Sequence, residues 1–297
     1  MGKSFALYTT YYPEVVDYLP QWVESFHAQT DKNIDICIGV DGKDSSYIGE
    51  MLGRQVSPQF ILAMPGETPT GLRSRALEIL SCEFDAVILS DMDDILLPTR
   101  IVTAKEQLSK CDLSCCAMQI MNIDKLINNK IFDPNVLGNQ PIRRNVFGLT
   151  NTAWQSSLLK RCLPVPSDYV LMDWLIAIRA RAENAIIGYD SEPRMIYRQH
   201  PKNIARVIPP FSAEQVLQGC RLVLSHYDFI LKESCLRYPH LTNEIKFTIQ
   251  LTKDFQSALK GSTRVLKEYI DALNRIPHNY VWWDFIANPK LEIIWKH

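Results

Sequence analysis

In the segment "AVILSDMDDILLPTRI", residues 86–101, the apolar run Ala86, Val87, Ile88 and Leu89 leads directly into Asp91, Asp93 and Asp94. Carboxylates packed this closely repel one another unless a cation or a proton resolves the conflict. Three chemistries fit such a cluster. Asp91 caps a turn or helix while Asp93 and Asp94 stand in solvent. Alternatively, two carboxylates share a proton for hydrolytic acid–base work. In the third, the cluster holds Mn²⁺ or Mg²⁺, which prefer hard oxygen ligands and join carboxylates to phosphates. Side chains of an extended segment repeat every second residue, so Asp91 and Asp93 share one side and can reach one ion.

Other chemistry-bearing residues are scattered along the chain. Asp173, in "VPSDYVLMDWLIAIRARA", falls early in a helix, where it is either a carboxylate favoured by the macrodipole or a base. His200, ending "RMIYRQH", is either a ligand or a satisfied structural histidine. Asp41 in "VDG" reads as a turn residue unless a ligand uses it. Arg143 and Arg144 stand in a segment rich in Asn, Pro and Gly, either solvated or meeting an anion.

The elements that must position these residues alternate. "SFALYTTYY" reads as a buried strand, and Pro13 opens a helix carrying Val15, Val16, Leu19, Trp22, Val23 and Phe26 at helical spacing. "IDICIGVDG" and "QFILAM" are the next strands, "LRSRALEIL" is helical, and "DAVILSD" is the fourth strand. This alternation predicts an α/β fold with a mostly parallel sheet covered on both faces. Such sheets bind ligands at the carboxyl ends of their strands, where Thr9, Thr10, Asp41, Asp91 and Asp93 fall. A helix follows Thr99, then a strand "LSCCAMQIMNI", and residues 124–145 form a long loop or hairpin. From Pro209 onward the pattern is helical.

Composition narrows the classes. The 297 residues carry a net charge of −1, which gives no electrostatic footprint for nucleic acid. None of the 8 cysteines forms a C-x-x-C pair, so neither zinc nor a redox dithiol is indicated. No N-x-[ST] acceptor occurs, no signal peptide opens the chain, and no apolar run approaches a membrane span. A cytoplasmic protein is expected, either free or peripheral at the inner face of a membrane. The absence of G-x-x-x-x-G-K-[ST] and G-x-G-x-x-G argues against P-loop and dinucleotide-binding classes.

Taken together, the segments resemble family 2 glycosyltransferases of the GT-A fold. "VILSDMDDILLPTRI" resembles their D-x-D segment, and "ALYTTYYPEVVDYLPQWVESFHAQTDKNIDICIGVDG" their opening strand, helix and second strand. "GLRSRALEIL" is similar to the helix before the D-x-D strand, though the usual Arg-Asn pair is Arg75-Ala76 here. "LMDWLIAIRA" resembles the acceptor-side helix, and "IYRQHPKNIAR" the ending of the rhamnosyltransferase-like branch. The resemblance covers roughly residues 4–206 and implies roles for the matching positions. Thr9, Tyr11 and Asp41 would line the nucleotide, and Arg75 would approach the diphosphate or the carboxylates. Asp91 would contact ribose or metal, Asp93 would bind metal, and His200 would be a further ligand or a phosphate contact. Asp173 would be the catalytic base, with Trp174 as a wall for a sugar ring.

The expectation is an inverting, Mn²⁺- or Mg²⁺-dependent glycosyltransferase. It would move a sugar from a nucleotide-diphosphate donor to a glycan or lipid-linked acceptor, with the catalytic domain at 1–206 and a helical extension at 207–297. Its rivals are a nucleotidyltransferase, which would need an early glycine-rich basic loop, and an inactive nucleotide-sugar-binding scaffold. The tail "YVWWDFIANPKLEIIWKH" has two readings. Trp282, Trp283, Phe285 and Trp295, with Lys290 and Lys296, either meet a membrane surface or pack the helical extension against the catalytic domain or a second subunit.

Overall fold

The apolar runs of the N-terminal part form strands. In the computed structural model, which describes residues 3–42, 44–137 and 142–296, they are β1 (Phe5–Tyr11), β2 (Asp35–Val40), β3 (Gln59–Leu62) and β4 (Ala86–Leu89). These pair in parallel in the order β3-β2-β1-β4. Every residue of β4 is buried, as is every residue of β1 after Phe5. Strands covered on both faces read as continuous apolar runs for this reason. The connections carry α1 (Leu19–His27), α2 (Ser45–Leu52) and α3 (Pro69–Glu83). The helix expected from Pro13 is split: Pro13–Tyr18 is a 3₁₀ turn, and α1 begins anew around Pro20, whose missing N–H suits a first turn. Tyr8 pairs with Leu89 and Tyr11 with Val40, so the residues just beyond, Tyr12, Asp41 and Asp91, leave the sheet at one edge.

The second half of the sheet is antiparallel. It follows with β5 (Ile95–Leu96), α4 (Arg100–Gln107), β6 (Leu113–Asn122), β7 (Lys125–Phe132), β8 (Thr152–Gln155), α5 (Ser156–Cys162), α6 (Met172–Ala182) and β9 (Ile187–Gln199). β8 lies antiparallel between β4 and β6, β7 forms a hairpin with β6, and β9 pairs with β5. The expected loop or hairpin at 124–145 thus begins as a strand, and its residues 138–141 lie outside the described residues.

Two compact units result: Met1–Asn135 with Phe147–Arg198, and Val136–Val146 with Gln199–His297. The boundary at 198/199 precedes the one read from sequence at 206/207. Segment 136–146 joins the second unit through Tyr227, whose hydroxyl donates to the Ile142 carbonyl at 2.8 Å, and through a bridge between Asn145 and Trp282. That unit is helical: α7 (Ala213–Arg237), α8 (Thr242–Gly261), α9 (Thr263–Leu273) and the short α10 (Glu292–Trp295). α7 opens with a capping box, Ser212 accepting from the Gln215 N–H at 3.2 Å and Gln215 from the Ser212 N–H at 2.9 Å.

The aromatic tail resolves toward packing within this unit. Trp282, Trp283, Phe285 and Trp295 are all buried. Phe255 meets Tyr269 and Trp295 edge-on, with ring centroids 4.8 and 5.2 Å away. Gly219 on α7 permits the close approach of Phe285, since a Cβ there would stand 2.8 Å from that ring. Among the described residues, no helix is long and apolar enough to cross a membrane.

Candidate active site

The carboxylates sit where β4 leaves the sheet. Trp22 Nε1 donates to Ser90 Oγ at 3.2 Å, and Arg100, fully buried, donates to the carbonyls of Leu89 (3.3 Å) and Thr152 (2.8 Å). The end of β4 is therefore fixed before the carboxylates begin. Asp93 and Asp94 are buried and Asp91 is half-buried; one ligand oxygen from each lies within 4.8 Å of the others. Burial pushes the Asp91 carboxyl up to about 6, with Asp93 and Asp173 adding to the effect against the attraction of Arg73. Burial, then Asp93 and Asp91, hold Asp94 well above the usual carboxylate range.

Asp94 supplies the deciding detail. Its Oδ1 accepts from the Arg198 backbone N–H at 2.8 Å, while its Oδ2 is buried with no hydrogen-bond partner. The Thr150 hydroxyl stands beside it and favours its charged form, but closes no regular hydrogen bond on that oxygen. A buried carboxylate oxygen without a donor, next to two further carboxylates, calls for a cation or a proton. The cluster also fits a divalent cation by size. Oxygens around an octahedral ion with ~2.1 Å bonds stand roughly 3–4 Å apart, which falls inside the 4.8 Å within which these oxygens lie.

Arg73 is the cation of this site. Its guanidinium meets Asp91 at 3.5 Å and Thr10 Oγ1 at 3.4 Å, and it lies 5.8 Å from the centroid of the Tyr12 ring. Burial opposes its charge, but Asp91 and the phenols of Tyr12 and Tyr8 outweigh that and keep it protonated. Burial pushes both phenols up to about 12. Tyr8 is buried beneath Thr10, which donates to its hydroxyl at 3.1 Å. Gly39 on β2 makes the room, because a Cβ there would lie 2.6 Å from that hydroxyl.

Arg75, expected here from the sequence, is instead engaged elsewhere. It forms a two-point pair with Glu67 at 2.9 and 2.7 Å and donates to the Leu62 carbonyl at 2.7 Å, knitting the β3–α3 connection. Two residues along a helix are about 200° apart around its axis, so only one of the pair can face β4. The helix phase is set by Thr68, which caps α3 by accepting from the Gly71 N–H at 3.0 Å. Arg73 is thus the site residue that the sequence does not single out, its only signal a second arginine in "LRSR"; Asp94 reads there as a member of the cluster with no role of its own.

The remaining expected residues divide. Asp41 is half-buried at the end of β2, its N–H bonded to the Tyr11 carbonyl at 2.9 Å. Thr9 and Tyr11 are buried and, by strand alternation, lie on the face of β1 opposite Tyr8 and Thr10. The Thr9 hydroxyl has no partner, and Tyr11 is hydrogen-bonded to Asp44. Asp173 lies in the first turn of α6, and its charge is felt at Asp91. The segment leading to it is tied to α3 by Thr70, which donates to the Tyr169 carbonyl at 2.7 Å, and by Ser74, which accepts from the Val165 N–H at 2.9 Å.

Trp174 is fully buried. It packs in the core behind α6 and is not the sugar wall expected from its place beside Asp173. His200 belongs to the second unit. The Lys202 N–H donates to its Nδ1 at 3.2 Å, which puts the proton of the neutral ring on Nε2. In that tautomer Nε2 donates and offers no lone pair to a metal. In the second unit, Arg143 pairs with Glu292 at 3.8 Å and Arg144 with Asp284 at 3.5 Å.

No protein-family model matches the sequence, and no curated protein matches it significantly. Solved structures do. S. aureus TarS 1–349 in complex with UDP-GlcNAc superposes with a TM-score of 0.61 at 16% identity, over 91% of this chain and 79% of that one. The mannosyltransferase PcManGT from Pyrobaculum calidifontis, in complex with GDP-Man and Mn²⁺, superposes with a TM-score of 0.56 at 11% identity, over 100% of this chain and 89% of that one. The fold is GT-A. At these identities the likeness concerns architecture, and the chemistry of this chain has to be read from its own residues.

Proposed function

We propose that this chain is a divalent-metal-dependent, inverting glycosyltransferase that uses a nucleotide-diphosphate sugar. The observation that carries the reading is the unpartnered oxygen of Asp94 inside the Asp91–Asp93–Asp94 cluster. That cluster meets Arg73 at the carboxyl edge of the parallel strands, with Asp173 in electrostatic reach. Two proteins of the same fold support it, one solved with UDP-GlcNAc and the other with GDP-Man and Mn²⁺.

We assign Asp93 and Asp91 as the ligands of Mn²⁺ or Mg²⁺, with Asp94 as a third carboxylate. When bound, such a cation acts as a Lewis acid toward the diphosphate oxygens. Arg73 binds the diphosphate, being permanently charged and already desolvated against Tyr12. Asp41 receives the base beyond β2. Thr9 and Tyr11, interior to the sheet, shape that wall from behind. Arg75 holds the β3–α3 connection that flanks the donor. Asp173 accepts the proton of the acceptor hydroxyl as that oxygen attacks the anomeric carbon from the face opposite the leaving diphosphate. A single displacement with one base inverts the anomeric centre. The acceptor is a glycan or lipid-linked sugar in surface-polysaccharide synthesis, and the "YRQH" ending supports a rhamnosyltransferase-like branch.

The test is a thermal-shift screen of nucleotide sugars with Mn²⁺ or EDTA, followed by transfer and NMR assignment of the product anomer. A donor present at 100 times its Kd should stabilise the protein by about 2.7 kcal/mol. We expect one nucleotide-sugar class to do so only with the metal, and the product anomer to be opposite to the donor's. If no nucleotide sugar binds under either condition, the reading is wrong; a product retaining the donor's configuration removes the inverting mechanism.

A further inference from the structure

A buried arginine on β9 carries an inference about how the carboxylate loop is held. Arg198 is 1% exposed, yet its guanidinium bonds to no carboxylate of the cluster. Its donors are spent on main chain and on distant segments. Nε donates to the Asp93 carbonyl at 2.8 Å, Nη1 to the Ile123 carbonyl and to Asp124 at 2.7 Å, and Nη2 to Gln21. The planar group also lies 4.7 Å from the centroid of the Tyr18 ring. Its own backbone N–H is the donor to Asp94 Oδ1. One residue therefore grips two consecutive members of the cluster, Asp93 through its carbonyl and Asp94 through its side chain.

Burying a guanidinium is costly unless its donors are satisfied. The ion-pair partner here, Asp124, is 67% exposed and so contributes little. Stability alone is a poor explanation for the arrangement. Ile123, to whose carbonyl Arg198 Nη1 donates, has φ of +56°, a left-handed conformation that is strongly disfavoured for a β-branched residue. Strain of this kind persists where the surroundings over-determine a local geometry. Here the strained β6–β7 turn turns a carbonyl toward Arg198, and Arg198 turns its Nε toward Asp93. On the other side of the cluster, Arg100 fixes the Leu89 carbonyl. The loop is thus pinned at both ends by buried arginines.

We infer that Arg198 is a positioning residue for the cation site: it fixes the backbone at Asp93 and the carboxylate of Asp94 before metal arrives. The inference rests on the metal reading of the cluster given above. Outer hydrogen-bond partners of metal ligands are worth about 10–100-fold in metal affinity. Full-length protein is titrated with Mn²⁺, alone and with saturating UDP or GDP, following free Mn²⁺ by its EPR signal. R198M should bind Mn²⁺ about 10–100-fold more weakly. R198K, which keeps one donor for the Asp93 carbonyl, should recover part of that loss. Nucleotide affinity in EDTA should match wild type for both.

A merely structural arginine would lower the melting temperature and leave Mn²⁺ affinity unchanged, and that result in R198M overturns the inference. If R198M does not fold, R198K decides: a Mn²⁺ affinity below wild type in the folded protein supports the inference, and an unchanged affinity overturns it. Wild-type protein that binds no Mn²⁺, with or without nucleotide, overturns the metal reading itself and this inference with it.

Discussion

In the metal-free protein near neutral pH, Asp91 carries a charge that its surroundings oppose. Burial is the largest influence, and with Asp93 and Asp173 it outweighs Arg73 and raises the carboxyl from 3.8 to about 6. Holding the ionised form against that rise costs the folded state about 3 kcal/mol. Asp91→Asn removes the charge but keeps an oxygen for Arg73. Their contact is long, 3.5 Å, so the loss on that side is about 1 kcal/mol. The variant should therefore be more stable than wild type by about 2 kcal/mol, or roughly 4–8 °C in Tm for a domain of this size. The sign follows from linkage. Unfolded Asp titrates near 3.8 and folded Asp91 near 6, so wild type loses this stability as pH rises between those values and is level above them. Thermal melts in EDTA from about pH 4 to about pH 8 should show the two proteins together at the acid end, separating between about pH 4 and about pH 6, and keeping a constant gap above that. With Mn²⁺ and a nucleotide diphosphate the order should reverse, because only wild type gains from the ligand. An Asn variant less stable than wild type at about pH 7.5 in EDTA would refute this, as would an advantage that persists unchanged at about pH 4.

Four further outcomes follow from the same geometry. Arg73→Met should weaken donor binding about 10–100-fold, as expected for losing charge-assisted bonds. Arg75→Met should leave it within about twofold while lowering the melting temperature through the orphaned Glu67; calorimetry on both separates the two arginines. Asp173→Asn should lose about 10²–10⁴-fold in transfer rate with donor affinity intact, because an amide takes no proton; near-normal transfer would mean another base. Gly219→Ala should destabilise by about 1–3 kcal/mol, since its Cβ would stand 2.8 Å from the Phe285 ring, and should leave donor affinity unchanged.

The parallel half of the fold was legible in the sequence because its strands are continuous apolar runs bounded by turn residues. β8, "TAWQ", and β5, "IL", were not: each is too short and too little patterned to stand out, and each exists through pairing with distant strands. Residues 187–193 of β9 are half-buried or exposed, so the first half of that strand carries no apolar pattern to mark it. The carboxylate cluster was visible as composition. Which arginine serves it was not, since that depends on the phase of α3 set by Thr68 and on the room left by Gly39. Trp174 was misjudged for a related reason. Its neighbour in sequence points to the cluster, but one residue along a helix turns about 100°, which takes the indole into the core. The His200 tautomer rests on a contact with the backbone of Lys202, which residue types alone do not reveal.

The central claim is that Asp91, Asp93 and Asp94 hold a cation together with a nucleotide diphosphate. Its most direct test is calorimetry of UDP and GDP binding to wild type and Asp93→Asn, each with Mn²⁺ and with EDTA. The account predicts that Mn²⁺ strengthens binding of at least one nucleotide to wild type by about tenfold or more, and that the substitution abolishes the difference while leaving the weak metal-free binding in place. Nucleotide affinity that ignores Mn²⁺ in wild type, or a metal effect that survives intact in Asp93→Asn, would contradict it.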